Sequence, residues 1–94
     1  MIIRSQDEKN IVNLDNVYAI YRVVKSNGKI KENYETDIRC SNGLKETEGI
    51  LGTYSAEEKA IKVLDMIQVA YEETSSLSGF GANTVFQMPQ DSEV

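Results

Sequence analysis

The most regular pattern of apolar and polar residues in the chain predicts one long helix over residues 54–74. Apolar side chains recur there at intervals of three and four residues, and charged or amide side chains occupy the opposite side. Ser55 stands where an N-cap belongs and Glu58 follows three residues later, a pair typical of a capping box. The apolar face, which must cover a sheet, comprises Ala60, Val63, Leu64, Ile67, Ala70 and Tyr71.

The first half of the chain predicts that sheet. Residues 1–5 and 11–14 are expected to form two short strands of an N-terminal hairpin or edge. Residues 17–24, with many β-branched and aromatic side chains, predict the strongest strand. Asn-Gly pairs at 27–28 and 42–43 are typical of two-residue hairpin turns, so the sequence predicts a three-stranded meander.

These turn positions also predict the strand register. A two-residue loop at Asn27-Gly28 places Val17 opposite Ile38 and lays the odd-numbered side chains of residues 17–23 on the helix. The even-numbered ones, among them Tyr18, Ile20 and Arg22, then lie on the other face. The loop at Asn42-Gly43 sets Arg39 opposite Glu46. The third strand contains Gly49 and Gly52, which predict a bulge or an edge position.

The predicted fold class is α+β, in a single domain of 94 residues. Short N-terminal strands and a three-stranded meander form an antiparallel sheet, packed by one long amphipathic helix. A short strand near the C-terminus precedes Pro89 and a polar tail. The predicted segments are a sheet over 1–52, the helix over 54–74, a flexible Ser- and Gly-rich loop over 75–83, and a short strand with the tail over 84–94.

Composition narrows the classes of function. The chain carries 15 acidic and 10 basic residues, no His and one Cys. The net charge of −5 argues against direct nucleic-acid binding and mostly indicates solubility, although mimicry of DNA toward a basic groove is an alternative. Without His, His-assisted nucleophiles and His-ligated metals are excluded. Carboxylate-only metal binding and paired-carboxylate catalysis stay open as alternatives, but the acidic residues lie at no spacing that singles out a pair. We therefore expect no enzyme, metal or cofactor. We expect a cytoplasmic protein, without membrane spans or a secretory signal.

Three apolar side chains of the predicted helix, Ile61, Met66 and Val69, point away from its core face. Single exposed apolar residues are common, which is the ordinary interpretation. The alternative is that a second copy of the chain buries them, together with Tyr18 and Ile20. For so small a chain we expect a homo-oligomer.

Two features suggest a ligand site. In the loop 79–83, Phe80 lies between two glycines and beside Asn83, so its ring could stack on a base while the amide bonds a base edge. The alternative is a linker whose Phe80 fills the core. Arg22 and Arg39 could make bidentate contacts to phosphate, and surface ion pairs are the alternative for both.

Three segments carry a resemblance to a known group. They read Met-Ile-Ile-Arg-Ser-Gln-Asp at 1–7, Leu-Gly-Thr-Tyr-Ser-Ala-Glu-Glu-Lys-Ala at 51–60 with Val-Leu-Asp-Met-Ile at 63–67, and Phe-Gln-Met-Pro-Gln-Asp at 86–91. They resemble small proteins encoded by Gram-positive bacteria and their phages, which implies a phage or prophage origin and inhibition of host defence.

In architecture the chain is also similar to the Thoeris anti-defence sponge proteins, which sequester cyclic ADP-ribose-type immune signals at subunit interfaces. That similarity implies that Phe80 and Asn83 contact adenine or ribose and that Arg22 or Arg39 holds the pyrophosphate. It also implies that the tail around Asp91 closes over the ligand from a neighbouring subunit.

The function expected from the sequence is therefore that of a non-enzymatic binding protein. Its ligand would be a small nucleotide-type immune signal, cyclic ADP-ribose-like or a cyclic nucleotide, sequestered without cleavage. The alternative is a protein-binding inhibitor of a host defence complex, an anti-CRISPR-like acidic mimic of DNA.

Overall fold

Two three-stranded sheets and one long helix make up the part of the chain that the computed structural model describes, residues 1–25, 34–42, 49–76 and 85–94. This architecture confirms the α+β class. The predicted flexible loop falls largely on residues outside these ranges. In chain order the elements are β1 Ile2–Arg4, β2 Ile11–Asn13, a 3-10 turn Leu14–Asn16, β3 Ala19–Val24, β4 Thr36–Ser41, β5 Gly49–Tyr54, α1 Glu57–Ser76, β6 Val85–Gln87 and a 3-10 turn Asp91–Glu93.

The first sheet joins the two ends of the chain. Its strand order is β2-β1-β6, with β2 antiparallel and β6 parallel to β1. Ile3 is fully buried at its centre, opposite Val12 on one side and Phe86 on the other. The predicted N-terminal hairpin and the last short strand are confirmed. These strands form a sheet separate from the meander, and this sheet is mixed because β6 pairs with β1 in parallel.

The second sheet has the order β3-β4-β5, with a register that differs from the predicted one. Val24 is opposite Thr36 and Ile20 opposite Cys40, which is not the register that a two-residue loop at Asn27-Gly28 predicts. The register is displaced by five positions, and an odd displacement turns β3 over. The prediction that odd-numbered side chains of β3 cover the helix was therefore wrong. Asn27-Gly28 itself lies outside the described residues.

The third strand confirms the expected bulge and edge position. Ile38 is opposite Gly52 whereas Arg39 is opposite Ile50, so Leu51 is the extra residue. Its side chain is buried in the core. The prediction that Arg39 pairs with Glu46 was wrong, because the bulged register brings Ile50 to that position.

Helix α1 packs on the second sheet with most of the predicted face, but the prediction that Tyr71 belongs to the buried part of that face was wrong, because Tyr71 is exposed. The buried side chains of α1 join those of both sheets in one core of Met1, Ile3, Ile38, Cys40, Leu51, Tyr54, Ala60, Val63, Ile67 and Met88. The helix begins at Glu57, later than predicted, because Tyr54 is still paired in β5 opposite Thr36. The described ranges contain no helix with the length and apolar character needed to cross a membrane.

Candidate functional site

The two arginines proposed to hold phosphate lie on opposite faces of the second sheet. Arg22 is opposite Ile38 on the helix side, and its Nε lies 3.2 Å from Glu57 Oε2. Arg39 is on the other face, where its Nη2 lies 2.7 Å from Asp37 Oδ2. Because residues on opposite faces of one sheet point away from each other, Arg22 and Arg39 of one chain cannot hold the same pyrophosphate.

Asp37 is the centre of a buried charge cluster that sequence reasoning missed. Its side chain is fully buried, although its neighbours Arg39 and Lys25 reach solvent. The Oδ1 atom accepts from Thr53 Oγ1 at 2.8 Å and lies 3.2 Å from Lys25 Nζ, while Oδ2 binds Arg39. Burial alone raises the pKa of Asp37, but the hydrogen bonds from Arg39, Thr53 and Lys25 outweigh it and hold the pKa below its ordinary value.

Asp91, the tail residue implied in ligand closure, binds the start of α1 of its own chain. Its Oδ1 accepts the backbone N–H of Ser55 at 2.8 Å. Lys59 Nζ donates to its backbone carbonyl at 3.0 Å and lies 3.5 Å from Oδ2. The Ser55 N–H is the main cause of a lowered pKa at Asp91, and Lys59 adds to it. The Asp91 carboxylate lies near the N-terminus of α1, where the positive end of the helix dipole stabilises a negative charge.

Residues of the segments 1–7, 51–60 and 86–91 meet in a hydrogen-bonded cluster, here called the end clasp: Gln6, Thr53, Tyr54, Pro89 and Gln90. Gln6 accepts the Thr53 N–H at 2.9 Å and donates to the Pro89 carbonyl at 3.3 Å. The buried Tyr54 hydroxyl donates to the same carbonyl at 2.8 Å, and burial raises the pKa of this tyrosine. Gln90 Nε2 donates to the Gln6 carbonyl at 2.7 Å. The end clasp is a structural feature, since its polar groups bond one another.

An open groove of about 530 Å³ runs between α1 and the start of β3. We call it the tyrosine groove. Tyr18, 82% exposed, and Tyr71, 47% exposed, lie at its sides with Asp15 and Gln68. Its apolar walls are formed by Leu14, Val17, Ile20, Leu64 and Ile67. Sequence reasoning missed this groove because it placed Tyr71 in the core and Tyr18 on the far sheet face.

A second cleft, of about 410 Å³, separates β2 from the start of β5 and is rich in amides. Asn10, Asn13, Asn16 and Asn42 line it together with the buried Cys40. The Asn13 side chain is already used in the 3-10 turn, where its oxygen accepts the Asp15 N–H at 3.0 Å. Burial raises the pKa of the Cys40 thiol, which makes it a poorer nucleophile.

The tyrosine groove combines aromatic side chains with a carboxylate acceptor. Two phenol rings offer flat apolar surface, and Asp15 is a hydrogen-bond acceptor. The described part of the chain holds no group of three or more acidic or Cys residues arranged to bind a metal ion. Phe80 and Asn83, the other predicted ligand residues, lie outside the described ranges. Comparisons of the chain with protein-family models, with curated protein sequences and with solved structures find no match.

Proposed function

We propose that the chain is a non-enzymatic binding protein that holds the base and ribose of a nucleotide-type ligand in the tyrosine groove. The observation that carries the proposal is the exposure of Tyr18, 82%, at the side of a groove of about 530 Å³. That volume lies within the ordinary range of small-molecule sites, roughly 300–1,000 Å³. A flat ligand between Tyr18 and Tyr71 would remove apolar ring surface from water.

Charge determines which end of the ligand enters. The Asp15 carboxylate can accept hydrogen bonds from ribose hydroxyls or an exocyclic amine. Among the described residues, no Lys or Arg lines the tyrosine groove. A phosphate would therefore be repelled by Asp15 and remain toward solvent. This orientation differs from the one implied by the resemblance, in which Arg22 or Arg39 holds the pyrophosphate.

The predicted roles of Arg22, Arg39 and Asp91 would each require an exchange of partners. Arg22 would leave Glu57, Arg39 would leave the buried Asp37, and Asp91 would leave Ser55. Of the three, Arg22 is the most readily exchanged, because its ion pair with Glu57 is exposed and weak. Arg39 is the least readily exchanged, because its departure would remove an ion-pair partner from the buried Asp37 carboxylate.

In the phage setting that the resemblance implies, such a protein would withhold an immune signal from the host without cleaving it. Binding by stacking and hydrogen bonds is sufficient for this role, since sequestration needs affinity and no bond cleavage. The protein-binding alternative predicts instead that the acidic surface engages a basic host protein and that nucleosides do not bind.

The first test is titration of the protein with adenosine and, separately, with ADP. Binding is measured from the changes in nuclear magnetic resonance chemical shifts of the groove residues. Tyr18→Ala is expected to weaken adenosine binding roughly tenfold to hundredfold, because stacking on one aromatic ring contributes about 1–3 kcal/mol per base. Tyr18→Phe keeps the ring and should bind like the unaltered protein. Val85→Ala, which truncates an exposed side chain of β6, is the control.

Asp15→Asn tests the orientation of the ligand. Removing the charge should strengthen ADP binding relative to adenosine binding, because repulsion of the phosphates disappears. Equal affinity of the Tyr18→Ala variant and the unaltered protein would contradict the groove as the site. If neither adenosine nor ADP binds, and a pull-down from host extract retains a basic protein, the protein-binding alternative is favoured.

A further inference from the structure

The outward side of α1 carries a stripe of four residues that neither the core nor the tyrosine groove uses. Lys62, Met66, Val69 and Glu73 follow one another at spacings of four, three and four residues, which keeps them on one line of the helix. Met66 is 43% exposed and Val69 is 52% exposed. Both border a shallow, largely apolar groove of about 370 Å³ whose other wall includes Phe86.

The order of side chains in this stripe is self-complementary. A second α1 laid antiparallel, with Met66 against Val69 of the second copy, brings Lys62 against Glu73 of the second copy. The two-fold axis repeats both contacts, so two ion pairs flank an apolar centre. A parallel pair would instead set Lys62 against Lys62 and Glu73 against Glu73. We propose that two copies of the chain associate through antiparallel packing of α1 along this stripe.

The geometry of the helix surface suits such a contact. Residues at this spacing form the seam along which helices pack, with side chains of one helix set between those of the other. The small Ala70 beside Val69 allows close approach, and the groove next to Phe86 can receive an apolar side chain of the second copy. Glu73 has another interaction within its own chain, and a carboxylate has lone pairs for more than one donor.

A second copy fits this surface better than an unrelated helix does. An unrelated partner needs no particular order of charges on α1, whereas the stripe carries opposite charges at equal distances from its apolar centre. Tyr71 and Gln68 of the tyrosine groove are not part of the stripe. Association and ligand binding are therefore separate properties, and either can fail without the other.

Charge exchange along the stripe tests the proposal by sedimentation velocity over a wide range of protein concentrations. Lys62→Glu and Glu73→Lys each turn both ion pairs into like-charge contacts, and each should raise the dimer dissociation constant about tenfold or more. The double exchange, Lys62→Glu with Glu73→Lys, restores opposite charges across an antiparallel pair and should restore dimerisation. Lys9→Glu makes the same charge change at an exposed position outside the stripe and is the control.

A double variant that associates as weakly as the single ones would overturn the antiparallel arrangement. An unaltered protein that is monomeric at every concentration would overturn the dimer altogether. Circular dichroism spectra of all variants establish that the helix content is unchanged, which is expected because the exchanged residues are exposed. Adenosine titration of the single variants should give unchanged affinity, so failure of the dimer is distinguishable from failure of the proposed ligand site.

Discussion

Asp37→Asn is expected to lower the free energy of unfolding by about 3 kcal/mol, the lower end of what breaking a buried ion pair produces. The amide keeps the shape of the side chain but removes the charge that Arg39 and Lys25 face. Both cations reach solvent, which limits the loss. Urea unfolding at neutral pH measures the difference from the midpoint and the slope of the transition.

The pH dependence of this difference identifies the charge as its cause. The folded pKa of Asp37 is lowered, so its contribution is fully present above the unfolded value and is lost as pH falls through the folded pKa. The stability difference between the unaltered protein and Asp37→Asn should be constant above about pH 5 and shrink below the ordinary pKa of 3.8.

Asp65→Asn provides the control, because Asp65 is an exposed acidic residue on α1. Its effect should stay within about 0.5 kcal/mol, as for most surface substitutions. A difference between Asp37→Asn and the unaltered protein that persists unchanged at acidic pH would contradict an electrostatic role. The loss would then reflect packing around the side chain.

Gln6→Ala is expected to have the second largest effect, a loss of about 2 kcal/mol in the free energy of unfolding. Thr53 N–H loses its acceptor and the Pro89 carbonyl loses one of two donors. Tyr54→Phe removes the other donor to that carbonyl and should lose about 1 kcal/mol. Chemical denaturation of the single variants measures both losses.

The double variant, Gln6→Ala with Tyr54→Phe, tests whether the end clasp works as a unit. Each single change leaves the buried Pro89 carbonyl one donor, and the double change removes both. The double variant should therefore lose about 1 kcal/mol more than the sum of the single losses. Gln68→Ala, on the exposed side of α1, is the matched glutamine control and should change stability little. Strict additivity would contradict the shared acceptor.

The end clasp brings together parts of the chain that are distant in sequence. It connects the first turn, the end of β5 and the tail, and the first sheet pairs β1 with β6. Both ends of the chain thereby contribute buried side chains, Met1 and Met88, to the core. Loss of the end clasp is expected to loosen both ends together, because they share one set of partners.

Features that depend on short stretches of sequence were predictable. The helix follows from contacts between residues three and four positions apart, and its predicted face is the one that buries Ala60, Val63 and Ile67. The short N-terminal strands, the strong strand and the bulge near Gly52 follow from side-chain preferences and from Gly positions. The exposure of Met66 and Val69 within the chain was also predicted.

The candidate site was not predictable, because it depends on which strands pair and in what register. The Asn-Gly pair predicts a register from local sequence alone, and the observed register of β3 on β4 differs from it by five positions. As a result, Ile20 faces the helix, and Arg22 and Arg39 lie on opposite faces of the sheet. The same register places Val23 opposite Asp37.

Composition and periodicity alone determine the α+β class and the amphipathic helix, since these depend on residue type and on neighbours within about one or two helical turns. Long-range pairing determines the two sheets, the parallel pairing of β1 with β6 and the placement of Tyr18 and Tyr71 along one groove. Such contacts are selected by the free energy of the whole core, which no short segment of sequence contains.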